Sequence, residues 1–127
     1  MLPVIAPIGV GENGQSYNIN ADVAAAGIAA ALKAEKLVYL SDVEGVMISG
    51  ELIHSITQDD ARLLTEQKVI VNGMIPKIRS AFHALDTGVQ KIHLIDGRVK
   101  HSLLLEIFTD QGIGTELIRS DHQKILL

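Results

Sequence analysis

The sequence predicts an α/β protein, a three-layer α/β/α sandwich built around a mostly parallel sheet. Three observations predict it. Short apolar runs alternate with longer helix-forming segments, the order that crossover helices between parallel strands produce. Hydrophobic residues make up 47% of the chain and aromatic residues only 3%, so the core is built from Ile, Leu, Val and Ala, as in strands buried on both faces. A length of 127 residues suits one hydrophobic core, and residues 1–127 are read as a single domain.

Val4 to Gly9 reads as a short buried strand. Gly9, Gly11, Asn13 and Gly14 then mark a loop, with Tyr17 to Ile19 as a return strand. An Ala-rich helix follows from Asn20 to about Lys36, since Ala is the best helix former. Asn20 is its N-cap, and Asp22 sits in the first turn, facing the positive end of the helix dipole. Leu37 to Leu40 is the next strand, with Ser41 to Val46 as the loop at its C-terminal end.

Val46 to Ile56, broken at Ser49-Gly50, reads as a β-hairpin. Thr57 caps a helix running from Gln58 to about Gln67. Val69 to Val71 is a short apolar stretch before the Asn72-Gly73 turn. Ile75 to Thr87 is helical, with Gly88 just past its end. Lys91 to Ile95 is a core strand ended by Asp96-Gly97, and Ser102 to Phe108 is a further helix. Gly112 to Thr115 leads into a last strand, Glu116 to Ile118, and the tail after Arg119 is expected to fray.

The balance of charge excludes several partners. The formal net charge is -4, so no basic surplus is present to neutralise nucleic-acid phosphates, and the stacking aromatics of single-strand binders are missing. Cysteine is absent, which excludes disulfides and thiolate metal sites. No apolar run is long enough to span a bilayer as a helix. Neither nucleic acid nor membrane is therefore an expected partner, and the expected location is cytoplasmic. The first seven residues lack the regions of a signal peptide, and the abrupt entry into a strand suggests a fold begun partway through.

Ligands of open parallel sheets bind outside the carboxyl ends of the strands. Three polar groups fall there: Asn18, Asn20 and Asp22; Ser41 to Val46; and Asn72 to Lys77. Lys77 lies near the start of its helix, where the dipole does not favour a cation. Its placement is explained if an anion binds there, approached by backbone N–H groups and by Lys77; the plainer reading is a solvated lysine. Asp22 serves either as a first-turn acid or as a group that orients lysines around a phosphate. Asn18 and Asp42 have bland roles open to them in a turn and at a strand end. Gly45 would let backbone approach a ligand closely.

Sharp motifs are missing. There is no Gly-x-x-x-x-Gly-Lys-Ser/Thr loop and no Gly-x-Gly-x-x-Gly. The histidines at 54, 83, 93, 101 and 122 show no metal-ligand spacing.

Four stretches, in order, resemble the acetylglutamate kinases of the amino acid kinase family. They are Tyr17 to Asp22, Leu40 to Val46, Gly73 to Lys77, and Asp96 to Thr115. The resemblance implies an amino acid kinase-like fold, truncated to its C-terminal, nucleotide-binding part. It implies phosphorylation of the side-chain carboxylate of N-acetyl-L-glutamate by ATP with Mg2+, in arginine biosynthesis. By the same resemblance, Lys77 contacts the transferring phosphoryl group and Asp22 organises the catalytic lysines. Asn18 and Asn20 hold substrate. Asp42, Val43, Glu44, Gly45, Val46 and Met47 cradle the nucleotide, Val69, Ile70 and Val71 form a wall near its adenine end, and Met74 also contacts it.

Two departures stand out: Asn72 occupies a position where many relatives carry glycine, and no lysine precedes Lys33 nor any arginine Arg62. The resemblance places a second lysine, a phosphate-binding loop and an arginine in an absent N-terminal half, so the isolated chain is expected to be inactive. It is also expected to form homo-oligomers or to associate with that half. The other readings are a non-catalytic nucleotide-binding or interaction module, or a fragment of a carbamate, uridylate or aspartate kinase.

Overall fold

A computed structural model describes residues 1–109 and 112–120 of the chain. The expected fraying of the tail, His122 and the Asp110-Gln111 step lie outside the described residues.

The first apolar run does not form the buried strand expected over Val4 to Gly9. Strand β1 is Ile8–Val10, paired antiparallel with β2, Ser16–Asn18, in a hairpin separate from the main sheet. Val4, Ile5, Ile8 and Val10 are exposed, and among the described residues no second sheet pairs with or covers the hairpin.

Helix α1 is Ala21–Ala31. Its side-chain cap is Asn20, whose amide oxygen accepts from the Asp22 and Val23 N–H groups at 3.0 and 3.2 Å. The helix ends earlier than Lys36 because Lys33 turns left-handed at φ 50°, which leaves β3, Lys36–Ser41, to start at once. The hairpin around Ser49-Gly50 is short: β4 is Met47–Ile48 and β5 is Glu51–Leu52. The end of the expected hairpin instead forms a separate strand, β6, Ser55–Ile56.

Helix α2, Gln58–Glu66, starts with a complete capping box: Thr57 accepts from the Asp60 N–H while Asp60 accepts from the Thr57 N–H. Helix α3, Met74–Asp86, leads through Gly88 at φ 123° into β7, Lys91–Asp96. Helix α4 is Ser102–Phe108, and β8 is Thr115–Leu117.

The main sheet has the order β3-β7-β8-β6. β3 pairs parallel with β7 and β6 parallel with β8, whereas β7 and β8 run antiparallel. Alternation along the strands separates two faces. Leu37 and Tyr39 of β3 lie beside Ile92 and Leu94 of β7, and all four belong to or pack on the core shared with Ala26, Ala29, Ile78 and Leu85 of α1 and α3. The opposite face carries Lys36 and His93, both of which reach Glu106 of α4. Helices therefore lie on both sides of the sheet, as the three-layer expectation requires.

Candidate functional site

Helix α1 leads into β3 and helix α3 into β7, and the two strands are parallel. Each helix must run back against the strand it feeds. The N-termini of α1 and α3 therefore gather at the C-terminal ends of β3 and β7, where open α/β sheets receive ligands. α1 and α3 pack against each other on this face.

Asp22 is in the first turn of α1, and Lys77 is the fourth residue of α3. The Lys77 ammonium donates to Asp22 Oδ1 at 3.1 Å, with the two side chains 17% and 27% exposed. Electrostatics explain the pairing. A lysine near a helix N-terminus forgoes about 0.3–1 kcal/mol of dipole interaction. Asp22 is favoured by the N-terminus of α1 and in turn offsets that cost for Lys77. Tyr39 lies beneath, its ring centroid 5.4 Å from the ammonium. Its hydroxyl donates to the Asp22 carbonyl at 3.1 Å and lies 3.3 Å from Ser80 Oγ. Burial, the largest cause, pushes the Tyr39 phenol above its ordinary value, against the Ser80 hydrogen bond, so the ring stays neutral.

The loops after β3 and β7 meet at the C-terminal ends of these strands, where the Gly97 N–H donates to the Ser41 carbonyl at 2.8 Å. Arg98 grips Asp96 through Nε and Nη2 at 2.9 and 2.8 Å. These bonds hold the Asp96 carboxyl down at about 2 and raise the Arg98 guanidinium, to which Asp42 and Glu44 add smaller attractions.

The residues expected from sequence divide into those facing this region and those that build it. Lys77 and Asp22 meet. Asn18 is exposed on β2, opposite Ile8. Asn20 is exposed, with its amide oxygen committed to capping α1. Asp42 and Glu44 are exposed; Val43, Met47, Val69 and Met74 are half-buried; Val71 is exposed. Three expectations need correction. Val46 and Ile70 are each 1% exposed and fill the core, so their side chains cannot wall a ligand. Gly45 does approach something closely, but that neighbour is protein. At φ 149° it leaves no room for a Cβ, which would lie 2.6 Å from Thr115 Oγ1. The backbone N–H groups at the start of α3 are not free for an anion. Those of Met74 and Ile75 donate to the Val71 and Asn72 carbonyls at 3.1 and 3.2 Å, and Pro76 has none. Asn72 has φ 48°, a left-handed conformation that Asn tolerates best after glycine.

Sequence reasoning missed Tyr39, Ser80, Asp96 and Arg98 as neighbours of this region. Tyr39 carried a signal: a tyrosine inside an aliphatic strand must find a partner for its hydroxyl. It missed a second polar cluster as well. On the opposite face, Glu106 Oε1 accepts from Lys36 Nζ at 2.5 Å, and Glu106 Oε2 accepts from the Ile113 N–H at 3.3 Å. His93 Nδ1 lies 3.0 Å from Glu106 Oε1 without hydrogen-bond alignment. Burial, outweighing Glu106, lowers the His93 imidazole below its usual value. This cluster ties α4 to the sheet.

A fixed, half-buried cation at the mouth of parallel strands can take up negative charge that develops on a bound group. Comparison with known proteins gives that geometry a context. The profile described as the amino acid kinase family matches residues 1–96. The acetylglutamate kinase of Aquifex aeolicus is 60% identical over 117 residues, covering 91% of this chain and 39% of that protein. That of Chlorobaculum tepidum is 55% identical, covering 98% of this chain and 44% of that protein. The chain thus spans about two fifths of the length of these relatives. Among solved structures, an N-acetylglutamate synthase from Neisseria gonorrhoeae complexed with coenzyme A and L-arginine superposes with a TM-score of 0.81. The identity is 35%, over 89% of this chain and 26% of that one. A carbamate kinase from Giardia lamblia bound to AMP-PNP gives a TM-score of 0.64 at 20% identity, over 86% of this chain and 36% of that one, a likeness of fold. On the match over residues 1–96 and these shared identities, the chain belongs to the amino acid kinase family.

Proposed function

We propose that this chain supplies the ATP side of an acetylglutamate kinase, which transfers the terminal phosphoryl group of ATP to the side-chain carboxylate of N-acetyl-L-glutamate in arginine biosynthesis. The observation that carries the reading is the Lys77–Asp22 pair, held at 3.1 Å across the N-termini of two helices at the ends of parallel strands. Phosphoryl transfer depends on positioning and on neutralising charge spread over the transferred group. Lys77 is assigned the neutralising role and Asp22 the orienting one. Asp42, Val43, Glu44, Met47, Val69, Val71 and Met74 are assigned to the nucleotide. Asn18 and the free amide nitrogen of Asn20 are assigned to the acetylated substrate. Mg2+ would be carried chiefly by the nucleotide phosphates. The proposed location is cytoplasmic.

Identities of 53–60% to acetylglutamate kinases support the choice of substrate. By itself the chain is proposed to bind nucleotide with little turnover, because the remaining machinery belongs to the other three fifths of such enzymes. A second reading, a non-catalytic module, has one observation in its favour: a protein named as a synthase carries this fold in about a quarter of its length.

A graft separates the two. This chain would replace the matched 117 residues of the Aquifex aeolicus enzyme. The expected result is ADP formation that requires acetylglutamate and falls roughly 100-fold or more in Lys77→Ala, the scale of losing one charge-stabilising group. A folded graft without acetylglutamate-dependent turnover favours the non-catalytic reading.

A further inference from the structure

Tyr39 is assigned no part in the function proposed above, yet it touches both members of the ion pair. Its ring lies under the Lys77 ammonium at 5.4 Å. Its hydroxyl donates to the Asp22 backbone carbonyl at 3.1 Å. The neighbouring Ser80 hydroxyl donates to the Lys77 backbone carbonyl at 2.9 Å, and the two hydroxyl oxygens are 3.3 Å apart. Tyr39 gives its proton to the Asp22 carbonyl of α1, and Ser80 of α3, within reach of both the Lys77 carbonyl and the Tyr39 oxygen, links α3 to the same phenol. A buried tyrosine must satisfy its hydroxyl somewhere, and here the partners it finds belong to Asp22 of the ion pair and to Ser80. The side chain is 4% exposed in a core that also holds Phe82, where a leucine or phenylalanine would pack without a polar atom to satisfy.

We propose that Tyr39 is the positioning residue for Lys77, its ring carrying the ammonium and its hydroxyl, with Ser80, locking the two helix N-termini that hold Lys77 and Asp22 in register. The proposal rests on the reading of Lys77 as the phosphate-side cation. An ammonium held only by a carboxylate can swing about that contact. A ring face beneath it removes this freedom and fixes how far the charge stands above the strand ends.

The test compares binding of a non-hydrolysable ATP analogue with binding of ADP, both with Mg2+, by calorimetry on the 127-residue chain. The variants are Tyr39→Leu, Tyr39→Phe and Lys77→Ala. A general loss of structure weakens both nucleotides alike. A misplaced Lys77 weakens only the triphosphate. Tyr39→Leu is expected to lower the triphosphate-over-diphosphate preference about three- to tenfold, the range that loss of a cation–π contact allows. Tyr39→Phe keeps the ring and is expected to retain most of the preference. Lys77→Ala should abolish it.

If Tyr39→Leu leaves the preference intact while Lys77→Ala removes it, the positioning role is overturned and the reading of Lys77 stands. If Lys77→Ala leaves it intact, the reading falls and takes this inference with it. Tyr39→Met serves if Tyr39→Leu does not fold. A nucleotide-free readout is the Lys77 ε-methylene proton resonance, which the ring should shift upfield in the parent chain and in Tyr39→Phe but not in Tyr39→Leu. An unshifted resonance in the parent chain overturns the proposal.

Discussion

Lys77 and Asp22 show how much a local reading can and cannot recover. Asn20 and Asp22 were legible because capping and first-turn acids are decided within a few residues. The oddity of Lys77 was legible too, as a cation at the wrong end of a helix. Its resolution was not, because the partner lies 55 residues away. The same distance problem hid Ser80 from Tyr39, 41 residues apart, and gave Gly45 to a ligand when its neighbour is Thr115. Asp96 supplies a test at this scale. Its folded value, held at about 2 by Arg98, lies below the roughly 3.9 of an unfolded aspartate. A depressed carboxylate stabilises the fold above the unfolded value, and that contribution is lost as pH falls through the folded one. A carboxyl-carbon NMR titration should therefore find Asp96 ionised down to about pH 2, and its value should rise in Arg98→Ala while staying below the roughly 3.9 of a free aspartate, because the N–H of residue 98 still donates to Asp96 Oδ1. An ordinary titration in the parent chain would contradict the Arg98 grip.

At the scale of elements, the helices were read more faithfully than the strands. α2 and α4 were recovered with their caps or limits because turn, cap and period lie in contiguous sequence. The strand expected over Glu116 to Ile118 is present one residue earlier as β8, whereas β6 was taken into the expected hairpin and the pairing of the two was not legible. Each is too short, at 2 and 3 residues, to carry an alternation signal, and their pairing joins segments about 60 residues apart. Thr115 holds this distant assembly together. Its hydroxyl accepts from the Val46 N–H at 2.8 Å and donates to the Ile53 carbonyl at 2.7 Å. Thr115→Val keeps the shape but takes the partner from the buried Val46 N–H and from the half-buried Ile53 carbonyl. It should lower stability by about 1–3 kcal/mol in denaturant titrations. A loss within about 0.5 kcal/mol, the usual range for an inconsequential surface change, would show that these bonds are not needed to join β8 to the β4-β5 hairpin.

The whole molecule was legible in class and misread at one edge. Alternating elements and an aliphatic composition gave the layered α/β architecture, and the helices on both sheet faces agree with it. The first strand failed because an apolar run states only that it wants to be covered, not by what. Val4, Ile5, Ile8, Val10 and Leu32 remain exposed. An apolar groove of about 350 Å³ runs between Ile5 to Pro7 and the Ala24, Ile28 and Leu37 side chains. The far side of the sheet adds Leu104, Ile107 and Phe108 of α4. Exposed apolar area of this kind drives association, and β3 lies at a sheet edge. Light scattering across a wide concentration range should therefore show a mass that rises with concentration. A constant monomer mass would contradict this.

The central claim is that Lys77, held by Asp22, stands where the terminal phosphates of a nucleotide bind. It is tested most directly by calorimetric titration of the chain with Mg2+ and a non-hydrolysable ATP analogue, in parallel with Lys77→Ala. The account predicts saturable binding that weakens at least about tenfold in the variant, roughly the 1.4 kcal/mol expected for one charge-assisted phosphate contact. Equal affinity in the two folded chains would contradict it, and would leave the Lys77–Asp22 pair as a clasp between two helices.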